Sequence, residues 1–247
     1  MDFPYLLPVG AAAAAAGLAA YGAIHPAATL FGPTLRRTGA ASSIALTFDD
    51  GPNPAITLEL LDLLDRHGAR ATFFVIGRFA RECRALVGEI AARGHLLGNH
   101  TDSHPSIIWL GPRRLESELQ RCQQAIADAA GAGPRWMRPP YGFRSPFLHG
   151  VLRRMGFHPP ALWRVSANDW LERPVEYVIG RLRAVRGGDI VLMHDGDHRR
   201  LGGNRRHTLR ALEHWLPRWR DAGWSCVRLD ASGPKTVESA KPRAVGA

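Results

Sequence analysis

Between Ser43 and Leu229, short apolar runs alternate with longer amphipathic stretches, and most of those stretches stop at a glycine. The apolar runs are 44–48, 71–76, 95–98, 136–138, 161–165, 190–193 and 224–229. The intervening stretches 55–67, 78–93, 112–130, 146–155, 175–185 and 208–219 carry apolar residues at helical spacing. Seven predicted strands alternating with six predicted helices imply parallel βα units, arranged as a barrel or an open sheet. In either arrangement the active groups belong at the C-terminal ends of the strands.

The 247 residues suffice for one large domain with a full core. Hydrophobic residues at 45% and charged residues at 22% exclude a disordered, collagenous or coiled-coil chain. The net charge is +10, and only Lys235 and Lys241 are lysines, so the basic charge is nearly all arginine. Arginine suits bidentate contacts to carboxylate and phosphate, which points to an anionic partner. No nucleic-acid module accompanies that charge, so a nucleic-acid partner is not expected. Cys83, Cys122 and Cys226 lack the spacing of a disulfide framework or metal knuckle and read as small buried residues.

Residues 1–36 form a hydrophobic N-terminal segment, 37–230 the catalytic domain and 231–247 a solvated tail. Phe3 to Ile24 is free of charge and long enough to reach across a bilayer, although diluted by alanine, glycine and proline. It reads as a membrane anchor, with a helix packed on the domain or a cleaved signal as alternatives. Arg36 and Arg37 follow it and pull against export. A membrane-associated or cell-envelope location on the periplasmic or extracellular side is expected, with the cytoplasmic face also open.

Five polar clusters sit where predicted strands end. Thr47-Phe48-Asp49-Asp50-Gly51-Pro52 places two adjacent carboxylates together. Such a pair stays ionised only beside a cation or strong donors, although taken alone it reads as an Asp-rich turn or helix N-cap before Gly-Pro. In His100-Thr101-Asp102-Ser103-His104, imidazoles at i and i+4 share one face of a helical turn and can reach one metal. Arg138-Pro139-Pro140-Tyr141-Gly142 is a stiff loop, Asp169-Trp170 sets a carboxylate beside an indole, and Leu192-Met193-His194-Asp195 brings out a histidine suited to general acid work.

Together, TFDDGP (47–52), HTDSH (100–104), RPPYG (138–142), DW (169–170) and LMHD (192–195) resemble, in order and spacing, the polysaccharide deacetylases with NodB homology, carbohydrate esterase family 4. The resemblance runs from about Ser43 to Leu229. It implies an α/β fold: a distorted (β/α) barrel of about seven parallel strands, here preceded by an N-terminal hydrophobic helix. It also implies metal ligands Asp50, His100 and His104, with Asp49 as the base that deprotonates the attacking water. Arg138 would steer Asp49, and the Tyr141 backbone N–H would stabilise the oxyanion. His194 would protonate the departing amine, oriented by Asp169, and Trp170 and Leu192 would wall an acetyl pocket. Ser166 departs from the family's DxxDW pattern, but the Asp next to the Trp is kept. The cofactor expected is a divalent metal, zinc first, with Co2+, Ni2+ or Fe2+ as alternatives.

The implied reaction is removal of N-acetyl groups from N-acetylhexosamine residues of a glycan such as chito-oligosaccharide or peptidoglycan. Deacylation or deformylation of a lipid-linked aminosugar and O-acetyl ester hydrolysis remain as alternatives. The basic residues His198, Arg199, Arg200, Arg205, Arg206 and His207, with Arg135 and Arg144, predict a positive mouth suited to an anionic substrate.

Overall fold

The computed structural model describes residues 6–232. A parallel sheet forms its centre, with strands β1 (Ser43–Gly51), β2 (Thr72–Val75), β3 (Leu96–Asn99), β4 (Val165–Ser166), β5 (Ile190–His194) and β6 (Ser225–Val227). The strand order is β3-β2-β1-β5-β4, and β6 pairs with the start of β1. All nine residues of β1 are buried, as expected of a central strand covered on both faces.

The helices are α1 (Leu6–Ile24), α2 (Thr57–Arg66), α3 (Gly77–Glu82), α4 (Arg84–Ala92), α5 (Pro112–Ala130), α6 (Leu148–Arg154), α7 (Val175–Leu182) and α8 (Arg206–Asp221). Leu60, Leu61 and Leu64 of α2, Ile126 of α5, Leu182 of α7 and Leu212 of α8 turn their apolar faces onto Ile44, Leu46, Phe48 and Phe73 of the sheet. This packing fixes the strand ends as a rigid floor for the site.

Three sequence expectations are corrected here. Among the described residues six strands form where seven were expected, because 136–138 contributes only a bridge, Asn99 to Met137. Pro139 and Pro140 follow at once and supply no N–H for a longer ladder. Backbone N–H groups nevertheless donate from Asn99 to Trp136, from Arg138 to Asn99, from Ala161 to Met137 and from Arg164 to Ile190, linking the β3 side of the sheet to the β4 side. The single helix expected over 78–93 is two, broken at Cys83 (φ −116°, ψ 46°). Of the three free cysteines only Cys122 is fully buried; Cys83 and Cys226 are partly exposed.

Among the described residues, no helix is long and apolar enough to cross a membrane. The segment after α1 is tied to the body. Arg144 is buried and donates to the carbonyls of Ala28 and His25, and Leu35 bridges Ala161. The expected solvated tail lies outside the described residues beyond Ser232; Leu229–Ser232 forms a 3-10 turn.

Candidate active site

The C-terminal ends of β1, β3 and β5 open into a cavity of about 580 Å³. Asp49, Asp50, His100, His104, Tyr141, Trp170, Leu192 and His194 all line it. Arg138 and Asp169 lie behind it, wholly buried.

Adjacent strand residues normally point to opposite faces. Here the β1–β2 register shifts between Asp49 and Gly51, and Asp50 takes φ 69°. The bulge turns both carboxylates into the cavity, a local cost carried by surrounding hydrogen bonds.

The HTDSH segment does not form the expected helical turn. Thr101 (φ 65°) and His104 (φ 59°) are left-handed, and the loop is held by side chains instead. Asn99 Oδ1 accepts from the Thr101 N–H at 2.9 Å, and Thr101 Oγ1 accepts from the His104 N–H at 3.1 Å. Buried Glu118, on α5, accepts from the N–H groups of Asp102 and Ser103 at 3.1 and 2.9 Å. The imidazoles of His100 and His104 end 4.9 Å apart, centre to centre.

Three atoms converge at one point. Asp50 Oδ1 lies 3.5 Å from His100 Nε2 and 3.3 Å from His104 Nε2. Zinc–nitrogen and zinc–oxygen bonds of about 2.0–2.1 Å in a tetrahedron set ligand atoms about 3.3–3.4 Å apart. Asp50 Oδ1 is buried without a hydrogen-bond partner, an arrangement that a cation would satisfy. His100 Nδ1 donates to the Arg138 carbonyl at 2.8 Å, which leaves its Nε2 lone pair facing the point of convergence. The donor set therefore fits a divalent metal, in number, spacing and chemistry.

Protonation follows burial and neighbours. Burial holds the His104 imidazole down at about 2, so it is neutral and free to ligate. Burial opposes charge on Asp50, yet contacts with His100 and His198 hold its carboxyl well below the usual range. Burial also opposes charge on His100, but Asp49 and Asp50 outweigh it and raise its pKa; a cation at the same point meets the same demand for positive charge.

Arg138 is anchored on every side. It donates to the carbonyls of Ala161 and Leu162, and its guanidinium lies 4.4 Å from the centre of the Phe74 ring. Its Nη1 then reaches Asp49 Oδ1 at 2.8 Å and Thr47 Oγ1 at 2.7 Å, which fixes one Asp49 oxygen and leaves the other facing the cavity. Asp49 Oδ2 lies 3.7 Å from His100 Nε2.

Asp49 and His194 are register partners on the adjacent strands β1 and β5, and both line the cavity. Asp169 Oδ1 lies 2.8 Å from His194 Nδ1. Its Oδ2 accepts from the His194 backbone N–H at 3.0 Å and from the Thr208 hydroxyl at 2.7 Å. Burial would lower the His194 pKa, but Asp169 overrides it and lifts the value to about 9. Ser166, at the position of the missing Asp, accepts the Asn168 N–H at 3.2 Å and does not line the cavity.

Tyr141 sits at φ 60° in a 3-10 turn whose hydrogen bonds use the N–H groups of Gly142 and Phe143, not its own. Gly142 at φ 70° lies flat on Trp163; an added Cβ would come 2.5 Å from that ring.

The expected positive mouth is smaller than the sequence suggested. Arg199, Arg200, Arg205 and His198 line the cavity. Arg144 instead anchors the segment after α1, Arg206 pairs with Glu59 at 3.0 Å, and neither Arg135 nor His207 lines the cavity. Sequence reasoning misses Thr47, Glu118, Trp163, Thr208 and buried Asp195 as site residues; Glu118, Trp163 and Thr208 reach the motifs only through the fold. The one available hint was the position of Thr47 and Asp195 inside the motifs themselves.

Comparison with known proteins agrees with this arrangement. The polysaccharide deacetylase family profile matches residues 36–160. A chitooligosaccharide deacetylase from Azorhizobium caulinodans is 35% identical over 81% of the chain and 99% of its own length. A peptidoglycan-N-acetylglucosamine deacetylase, PgdA, from Listeria monocytogenes is 32% identical over 80% of the chain but only 40% of its own length. A family 4 carbohydrate esterase from Streptomyces lividans, solved with acetate, superposes with a TM-score of 0.68 at 31% identity, covering 76% of this chain and 93% of that one. The chain belongs to the polysaccharide deacetylase family and is an enzyme of that class.

Proposed function

We propose that the protein removes N-acetyl groups from N-acetylhexosamine residues of a glycan, using a divalent metal held by Asp50, His100 and His104. The observation that carries this reading is the convergence on one cavity of the Asp50–His100–His104 cluster, Asp49 and the Asp169-backed His194. The relatives named as chitooligosaccharide and peptidoglycan deacetylases support the same substrate class.

When bound, the ion supplies Lewis acidity, polarising the amide carbonyl and acidifying water. Asp49, held by Arg138 through Oδ1, accepts the proton of the attacking water on Oδ2. The Tyr141 N–H donates to the oxygen that gains charge as the carbonyl becomes tetrahedral. His194 carries its proton at neutral pH and delivers it to the amine nitrogen as the C–N bond breaks. Trp170 and Leu192 border the space for the acetyl methyl.

The test is metal content joined to reaction. Wild-type protein is expected to bind one zinc per chain and to release acetate from chito-oligosaccharides, with chelation abolishing release and zinc restoring it. His100→Ala and His104→Ala should lose both binding and release. Stoichiometric zinc without acetate release would redirect the substrate to a lipid-linked or ester-bearing sugar. Failure to bind zinc, Co2+, Ni2+ or Fe2+ would overturn the metal assignment.

A further inference from the structure

A third imidazole stands beside the candidate metal cluster, and none of the five motifs contains it. His198 lies on the loop that follows β5, four residues beyond His194. Its Nδ1 is 3.6 Å from Asp50 Oδ2, whereas Oδ1 is the Asp50 oxygen nearest His100 and His104. Its ring lies nearly parallel to that of His104, 4.3 Å between centres and 20° between planes, and edge-on to Tyr141 at 5.7 Å. The loop is itself pinned, because the His198 carbonyl accepts from the Arg78 guanidinium, from the first turn of α3.

We propose that His198 is a positioning residue that holds the metal-binding carboxylate of Asp50. The inference rests on the metal reading above. Asp50 has two oxygens with different neighbours: Oδ1 is aimed between His100 and His104, and Oδ2 has His198. A slight ring rotation brings His198 Nδ1–H into hydrogen-bond range of Oδ2. That contact fixes the carboxylate rotation that keeps Oδ1 on the metal side. The stacked geometry argues against direct ligation by His198. Two stacked, nearly parallel imidazoles keep their in-plane lone pairs in separate, nearly parallel planes, which do not meet at one ion. The stack also holds the His104 ring upright, since His104 Nδ1 is buried without a hydrogen-bond partner of its own. Outer partners of this kind typically change metal affinity by about 10–100-fold.

The experiment measures the zinc dissociation constant of wild type, His198→Ala and His198→Asn by chelator competition, with far-UV circular dichroism as a fold control. Cobalt absorption spectra report the ligand set. His198→Ala is expected to bind zinc about 10–100-fold more weakly. His198→Asn, whose side-chain N–H can take the place of Nδ1–H, is expected to recover most of that loss. The cobalt spectrum should keep the same band pattern in all three proteins. Unchanged zinc affinity in a folded His198→Ala protein would overturn the proposal. So would a changed cobalt spectrum with no rescue by Asn, which would make His198 a ligand. Wild type that binds no divalent metal would overturn the metal reading and this inference with it.

Discussion

Asp169 grips His194 at two points, with Oδ1 2.8 Å from the imidazole Nδ1 and Oδ2 accepting the backbone N–H of the same residue at 3.0 Å. The contact lifts the His194 pKa from an ordinary 6.5 to about 9 against the opposing effect of burial. A general acid works only while protonated, so activity should persist through neutral pH and fall as pH rises through about 9. The pairing also contributes folding stability that is full below pH 6.5 and lost above about 9. Asp169→Asn should lower kcat by about 10²–10⁴-fold and move the alkaline limb downward. A pH–rate profile of both proteins checks this; an unmoved limb in Asp169→Asn would assign the proton to another group.

Arg138 is wholly buried and its only carboxylate partner is Asp49 among the described residues. Removing one member of a buried pair strands the other, at a cost of about 3–5 kcal/mol. Arg138→Met should therefore lower stability by that amount in denaturant titrations. Arg138→Lys should not restore it, since an ammonium cannot reach Asp49, Ala161 and Leu162 together. Full stability in Arg138→Lys would mean that charge alone suffices.

Arg199 and Arg200 are exposed at the cavity mouth, whereas Arg205 is buried and donates to the Gly196 carbonyl at 2.8 Å. The two exposed guanidiniums suit a carboxylate- or phosphate-bearing glycan. The double variant Arg199→Ala/Arg200→Ala should raise KM for such a substrate by up to about tenfold, with little change for a neutral chito-oligosaccharide. The wild-type KM for the charged substrate should rise with salt. A flat salt response would remove the preference.

Asp195 is buried beneath Gly51, with Oδ2 2.5 Å from the Thr57 hydroxyl and Oδ1 unpartnered. Burial raises its pKa from 3.8 to about 7. The folded protein then holds a proton that the unfolded chain releases across that interval. The stability linked to Asp195 is full below pH 4 and lost as pH rises through about 7. In Asp195→Asn, thermal denaturation should lose this slope and give a Tm at pH 8 no lower than wild type. A markedly lower Tm at pH 8 would show that the ionised carboxylate is the stabilising form.

The sequence made the alternation of strands and helices readable, because apolar period and glycine stops are local signals. Asp49, Asp50, His100, His104, Asp169 and His194 were legible for the same reason: each closes or follows an apolar run. Their geometry was not. The bulge at Asp50 and the left-handed turns at Thr101 and His104 depend on Asn99, Glu118 and the β2 register, which are separate in sequence and adjacent only after folding. Arg144 shows the opposite failure. Its charge suggested a place at the mouth, but its surroundings use it to bind the carbonyls behind α1. The split at Cys83 was hidden because residues on both sides keep helical spacing.

The most direct test is acetate release from an N-acetylglucosamine oligomer, followed by mass spectrometry, for zinc-loaded wild type and Asp49→Asn. Wild type should lose acetyl groups one 42-dalton step at a time, while Asp49→Asn should keep its zinc and lose about 10²–10⁴-fold in rate. Undiminished release by Asp49→Asn, with zinc bound in both proteins, would contradict Asp49 as the base and the mechanism built on it.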